Sequence, residues 1–264
     1  MFSILLFILK VLTVDIAGFS IEILLLLFAV SVVAGVLDTL AGGGGLLSLP
    51  ALLMSGLPPL AALGTNKLQG CMGTATATYM MLKHKHLRWK DARHLMLYVF
   101  VGAVLGTLLV QFINVSVLSF VIPIVLLFIG VYFLLSPRLL RRYSSFRLSI
   151  PLYEKCLVPL IACYDGMFGP GTGSFFTLAG TAKGDDLIPS TAMAKALNFS
   201  TNIASLMVFV FAGHVIWLLG IVMMIGQVFG AYLGARSLVK INPEYLRLLI
   251  VLMCFGMLLK YIVY

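Results

Sequence analysis

Charge is scarce in this chain of 264 residues: it carries 18 Lys and Arg and nine Asp and Glu, so 10% of it is charged against 61% hydrophobic. Soluble domains hold roughly a quarter charged and about half apolar residues, so a soluble globular fold is excluded. Tryptophan is limited to two residues and cysteine to four, Cys71, Cys156, Cys163 and Cys254, none in C-x-x-C spacing. That excludes a zinc site or disulfide framework built on paired cysteines and leaves these residues as packing groups. No Lys-Ser or Lys-Thr follows a glycine cluster, which excludes a P-loop. What is abundant is apolar sequence in runs of about 20 residues, the length that crosses a bilayer core about 30 Å thick. The chain reads as an all-α polytopic membrane protein with the lipid bilayer as its main partner. The net charge of +9 lies mostly in short connectors, the pattern of positive-inside topology rather than of a nucleic-acid partner.

Full-length spans are predicted at 21–41, 60–82, 92–112, 117–136, 149–164, 189–211, 216–236 and 245–263. Two shorter apolar segments, Gly45–Gly56 and Gly173–Ala182, each follow a glycine cluster. The leader, residues 1–20, begins with an apolar stretch lacking a basic n-region and a clear cleavage site; it reads as an interfacial helix, not a cleaved signal peptide.

Shifting the sequence by 128 residues without a gap superposes Gly43 on Gly171, Gly45 on Gly173, Lys67 on Lys195, His86 on His214 and Trp89 on Trp217. The same shift matches Gly102-Ala103-x-Leu105-Gly106 with Gly230-Ala231-x-Leu233-Gly234, and Ile113-Asn114 with Ile241-Asn242. The chain is therefore a duplication: residues 21–136 form repeat 1, 137–148 a basic cytoplasmic linker and 149–264 repeat 2. Lys83, Lys85, Arg88, Lys90 and Arg93 mark one connector as cytoplasmic. Its counterpart at 212–216 has no Lys or Arg, whereas Arg236 and Lys240 occupy the equivalent of the uncharged turn near Asn114. Two parses follow. If each Gly-opened segment is a broken crossing, each copy has five elements, the copies have inverted topology and the C-terminus lies outside. If each is a re-entrant hairpin, each copy has four crossings and the copies are parallel.

Glycine runs break helices and let backbone N–H groups approach a ligand. A helix restarting after such a break offers those groups and a positive dipole end to an anion. Gly43, Gly44 and Gly45, with Gly171, Thr172 and Gly173, are therefore candidate substrate-binding positions. A lysine in an apolar span must be compensated or snorkel to the headgroups; its presence at the matched position in both copies favours compensation, so Lys67 and Lys195 join them. Asn66 adjoins Lys67, and the spacing Lys195, Asn198, Asn202 places one ammonium and two amides on one helical face. Asp38 and Asp165, just before the breaks, are candidates for proton coupling or for ion pairs with the lysines. Gly102/Gly106 and Gly230/Gly234 read as helix packing. His84, His86 and His214 lie in connectors at opposite faces and read as no metal site; no cofactor and no catalytic residue is assigned.

The stretch Ala34-Gly35-x-x-Asp38-x-x-Ala41-Gly-Gly-Gly-Gly45 through Pro50, then Gly64-Thr65-Asn66-Lys67, resembles the TauE/SafE family, also called toluene sulfonate uptake permeases. Tyr164-Asp165-Gly166-Met167-Phe168-Gly169-Pro170-Gly171-Thr172-Gly173-Ser174 and Ala194-Lys195-Ala196-Leu197-Asn198 through Asn202 resemble its second signature. The likeness is strongest to a bacterial inner-membrane branch. It implies a secondary transporter of sulfite, sulfonates or related sulfur-containing organic anions, multi-pass in the inner membrane. A passive anion channel and a membrane-embedded enzyme are the alternative readings of the residues. Inverted copies make a topological prediction: a reporter at Lys85 is cytoplasmic, and reporters at Gly213 or after Tyr264 are external. Finding Gly213 on the side of Lys85 would rule the inversion out.

Overall fold

The computed structural model describes residues 15, 16, 18–142 and 148–236. The apolar leader stretch Met1–Leu12, the span at 245–263 and much of the linker lie outside the described residues. Asp15–Ile16 (β1) and Phe19–Ser20 (β2) form a minimal antiparallel hairpin. Ten α-helices and one π-helical stretch follow among the described residues. The first copy contributes α1 (Ile21–Ala41), α2 (Gly45–Met54), α3 (Pro59–Lys83), α4 (Trp89–Gln111) and α5 (Val115–Arg142). The second contributes α6 (Ile150–Leu152), a π-helical stretch (Tyr153–Leu157), α7 (Val158–Met167), α8 (Thr172–Lys183), α9 (Leu187–Phe211) and α10 (Trp217–Arg236).

These boundaries follow from local chemistry. Ser20 caps α1 by accepting from Ile23 N–H, and Gly42 ends it at φ 72° with its N–H bonded to Asp38 O. Pro59 opens α3, where a missing N–H costs nothing. Among the described residues, five helical stretches are long and apolar enough to cross a membrane: Ile21–Leu40, Trp89–Gln111, Val115–Tyr132, Leu187–Phe211 and Trp217–Arg236. Their outward residues are apolar, as bilayer contact requires: Leu97, Leu105, Phe120, Phe128 and Phe229 are all exposed. α5 runs on through Pro137 to Arg142, past the end expected at 136.

The duplication reappears in the elements: α3 (59–83) and α9 (187–211) are offset by 128 at both ends, and α4 and α10 start 128 apart. The contacts carry the same exchange. α1 packs along α10, and α7 along α4, as the two most extensive pairings. Both run in the same sense: Gly226 meets Phe28 and Ser31 while Gly234 meets Val36 and Thr39, and Gly102 meets Pro159 while Gly106 meets Cys163. α3 and α9, the equivalent helices, run past each other in opposite senses. Gly64 faces Phe209, Gly70 faces Asn202, and Met81 shares a cluster with Ala192 and Ala196. The larger apolar core lies around α1, α2, α3 and α5, with Leu27, Leu46, Leu63 and Leu118 all at most 1% exposed.

Glycines make the α1–α10 and α4–α7 crossings possible. A Cβ on Gly230 would strike Val32 O and sit 2.9 Å from Gly35 Cα; one on Gly106 would strike Cys163 O and sit 3.0 Å from Cys163 Cα. The packing role expected for these pairs is what the structure has. Gly106→Ala should therefore destabilise the protein by about 1–3 kcal/mol, the usual cost of overpacking. Gly70→Ala, whose added carbon would have its nearest neighbour at 3.5 Å, should leave the melting temperature of purified protein unchanged or slightly raised. Equal melting temperatures for the two variants would contradict the packing role.

Candidate functional site

The two helix breaks meet. Gly42 lies backbone to backbone against Gly173, so that a Cβ on Gly173 would be 2.7 Å from Gly42 Cα. Gly45 faces Pro170, with a Cβ there 3.3 Å from Pro170 Cα. Counting 128 from Gly42 gives Pro170 and from Gly45 gives Gly173, so these two contacts exchange the copies. Neither α2, capped at Gly44, nor α8, capped at Gly171, has a side-chain cap at its N-terminus.

Each lysine reaches the other copy's break. Lys67 Nζ on α3 lies 3.0 Å from Asp165 Oδ1 and donates to Asp165 O at 2.5 Å, in the last turn of α7. Lys195 Nζ on α9 lies 3.8 Å from Asp38 Oδ2 and donates to Asp38 O, in the last turn of α1. Both ammonium groups are 1% exposed, so snorkelling to the headgroups is not their fate. An ammonium at a helix C-terminus also meets the negative end of the dipole. The charge that makes an intramembrane lysine costly is thus offset twice, by a carboxylate and by backbone carbonyls.

Between these pairs lies a polar cavity of about 30 Å³, room for about two waters. Of the residues singled out from sequence, Gly45, Asn66, Lys67, Gly171, Asn198 and Asn202 line it, as do Asp38 and Asp165. The others stand behind it. Lys195 is turned to Asp38 rather than to the cavity, and its expected shared face with Asn198 and Asn202 is split accordingly. Gly43 accepts from Leu46 N–H. Gly44 packs back on α1, where a Cβ would be 2.7 Å from Asp38 Cβ, and Gly173 is covered by Gly42. Thr172 Oγ1 is placed to donate to Asp165 Oδ1 at 2.9 Å and to Gly169 O at 2.7 Å, holding the carboxylate from behind.

The lining also includes Gly42, Gln69, Gly70, Thr74, Gly169 and Gln227, which sequence reasoning missed. Gln69 carried a signal, lying three residues past Asn66 on the same helix. Thr74 carried another, being offset by 128 from Asn202; the two side chains touch, with Asn202 Nδ2 at 3.5 Å from Thr74 Oγ1. Gln227 is an amide within an apolar span, but the repeat sets it against Val99 and so concealed it.

Hydrogen bonds orient the amides. Asn66 Oδ1 accepts from Ser48 Oγ at 2.6 Å and from Gln69 Nε2 at 2.8 Å, which leaves its NH2 on the side of Gly45. Asn198 Oδ1 accepts from Asn202 Nδ2 at 3.4 Å. The Asn66 oxygen thus has both acceptor sites occupied, so Asn66 faces the cavity as a donor. Of the buried oxygens without a hydrogen-bond partner among the described residues, four belong to residues of the lining: Asp38 Oδ2, Asp165 Oδ2, Gln69 Oε1 and Gln227 Oε1.

Comparison with known proteins agrees with this architecture. The family described as sulfite exporter TauE/SafE matches residues 27–261. A probable membrane transporter protein of Haemophilus influenzae is 42% identical over 242 residues, 91% of this chain and 95% of its own length. ORF9, a probable membrane transporter protein of Sinorhizobium, is 38% identical over 240 residues, 90% of this chain and 92% of its own. The probable membrane transporter protein YfcA of Escherichia coli is 40% identical over 227 residues, 86% and 84% of the two chains. No solved structure matches. With a family match over most of the chain and relatives of this identity along nearly their whole lengths, this multi-pass membrane protein belongs to the TauE/SafE family of transporters.

Proposed function

We propose that the protein is a secondary transporter of small anions, sulfite, sulfonates or related sulfur-containing organic anions, working by alternating access in a bacterial inner membrane. The observation that carries this reading is the donor set. Lys67, the amide groups of Asn66 and Asn198, and two uncapped helix N-termini converge on one cavity at the junction of the repeats. Oxyanions present several acceptor oxygens, and convergent N–H donors with a helix N-terminus match that pattern.

The copies are inverted in this reading and the C-terminus is external. Support comes from the opposed senses of α3 and α9. It also comes from the chain doubling back at Gly44, which abuts Ala34 and Asp38 of α1. With the span expected at 245–263, which lies outside the described residues, each copy has five alternating elements, an odd number, as inversion requires. The substrate site sits at the crossing of the breaks, and rocking of one copy against the other opens it to either side. In this reading the copies part to widen the cavity for the anion. The transporter names of the relatives support transport over membrane-embedded catalysis. Protons are the proposed coupling ion, through a carboxylate at the breaks.

Thermal-shift measurement on purified protein with sulfite, sulfate, thiosulfate, sulfoacetate, taurine and simple carboxylates tests the reading, because a ligand bound only by the folded state stabilises it. At least one sulfur oxyanion should raise the melting temperature and the carboxylates should do so less. Asn66→Ala removes one oriented donor without stranding a charge and should weaken binding of that anion about tenfold, near 1.4 kcal/mol. No shift with any of these anions, or an unchanged affinity in Asn66→Ala, would count against an anion site here.

A further inference from the structure

The two cross-repeat ion pairs are not equivalent. Asp165 Oδ1 accepts from two donors, the Lys67 ammonium at 3.0 Å and the Thr172 hydroxyl at 2.9 Å. The ionic contact of Asp38 with Lys195 is longer, 3.8 Å, and the Oδ2 that makes it has no hydrogen-bond partner among the described residues. The cause is one residue. Thr172 lies 128 residues after Gly44, and neither Gly44 nor its neighbour Gly45 has a hydroxyl to offer Asp38. Asp38 is also the more accessible of the two, 6% exposed against 1% for Asp165.

We propose that Asp38, and not Asp165, is the carboxylate that takes up the coupling proton, while Asp165 stays ionised in a fixed Lys67–Asp165–Thr172 lock. This rests on the anion-transport reading and names the group that couples it. The charged groups facing Asp38 are Lys195 on α9 and, across the cavity, Lys67 on α3 and Asp165 on α7; α10 brings the neutral amide of Gln227. With two lysines and two carboxylates ionised, the empty cavity is neutral. An arriving monoanion would leave it with a buried negative charge, which is strongly disfavoured. A proton from water restores neutrality by forming an O–H bond on the Asp38 carboxylate. Lys195 keeps its proton and its bond to Asp38 O, and its positive charge is then balanced by the anion. Protonating Asp165 instead would weaken two short contacts made to a single oxygen; protonating Asp38 gives up one long contact. Anion and proton therefore bind together, each raising the affinity for the other by the same factor.

Two measurements on the full-length protein in lipid nanodiscs decide this. The first needs no anion: infrared difference spectra recorded as the pH is lowered report the C=O stretch of the buried carboxyl that takes up a proton first. One titrating band should appear in the wild type, persist in Asp165→Asn and Thr172→Val, and vanish in Asp38→Asn. Should Asp38→Asn strand Lys195 and fail to fold, the double variant Asp38→Asn/Lys195→Met keeps the site neutral and should also lack the band. The second uses methanesulfonate, a monoanion that does not titrate near neutral pH. Wild-type affinity should fall about tenfold per pH unit above the Asp38 titration, the slope expected for one linked proton; Asp38→Asn should bind it with no pH dependence. A band that persists without Asp38, a band lost with Asp165, or no titrating band at all overturns the assignment whether or not methanesulfonate binds. Failure of methanesulfonate to bind any variant counts against the sulfonate reading and leaves the infrared result to decide Asp38.

Discussion

Everything at the centre of this molecule depends on each lysine being neutralised by the other copy. A lysine buried at membrane depth costs on the order of 3 kcal/mol on insertion scales, and neither Lys67 nor Lys195 meets that cost within its own repeat. Lys67 is held by Asp165 and the carbonyl ending α7, and Lys195 by Asp38 and the carbonyl ending α1. Removing one partner alone strands a charge, which is far more damaging than removing both. The two halves are thus bound by an exchange of charge at the point where their backbones are also irregular.

That irregularity has a geometric condition. Carbonyls at the end of α1 and α7 are exposed to the lysines because the helices stop, and they stop at residues with positive φ, Gly42 at 72° and Gly169 at 96°. Non-helical backbone inside a membrane needs polar surroundings supplied by protein. Here each break supplies them to the other, Gly42 against Gly173 and Gly45 against Pro170. A side chain at Gly42 or Gly173 would separate the breaks, pull the carbonyls from the lysines and open the ion pairs together. Glycine at these positions serves proximity between the copies before it serves a ligand, which is why several glycines singled out as ligand contacts stand behind the cavity.

The elements of the fold were largely legible in the sequence because bilayer thickness fixes helix length and a duplication supplies an internal check: a helix, Pro59–Lys83, stands where a span was expected at 60–82, though it is not among the five stretches apolar enough to cross, and Gly45–Gly56 is Gly45–Met54. The lysines, asparagines and carboxylates of the site were legible for the same reason, since polar groups in apolar spans are few. Partner choice was not. That Lys67 reaches Asp165, 98 residues away, depends on how the copies cross, and no local pattern encodes the crossing. Gln227 was missed because repetition was the guide: the copies keep their glycines and lysines, but the amides have diverged, with Asn66 against Ala194 and Gln227 against Val99.

That divergence matters for mechanism. A site with strict exchange symmetry would bind an anion equally from either copy and hold both carboxylates alike, so nothing would distinguish the proton carrier from the structural pair. Here Asn66 with Ser48 and Gln69 belongs to one copy, Asn198, Asn202 and Gln227 to the other, and a threonine hydroxyl supports one carboxylate alone. Any movement of one copy against the other must strain both ion pairs, because each joins the copies. The 3.8 Å pair gives less resistance than the pair that is both shorter and hydrogen-bonded to Thr172. In the alternating-access reading proposed above, separation would begin on the side of Lys195 and Asp38, with Lys67 and Asp165 as the pivot. The duplicated frame supplies two equivalent places for a charge, and the few residues that broke the equivalence decide which of them moves.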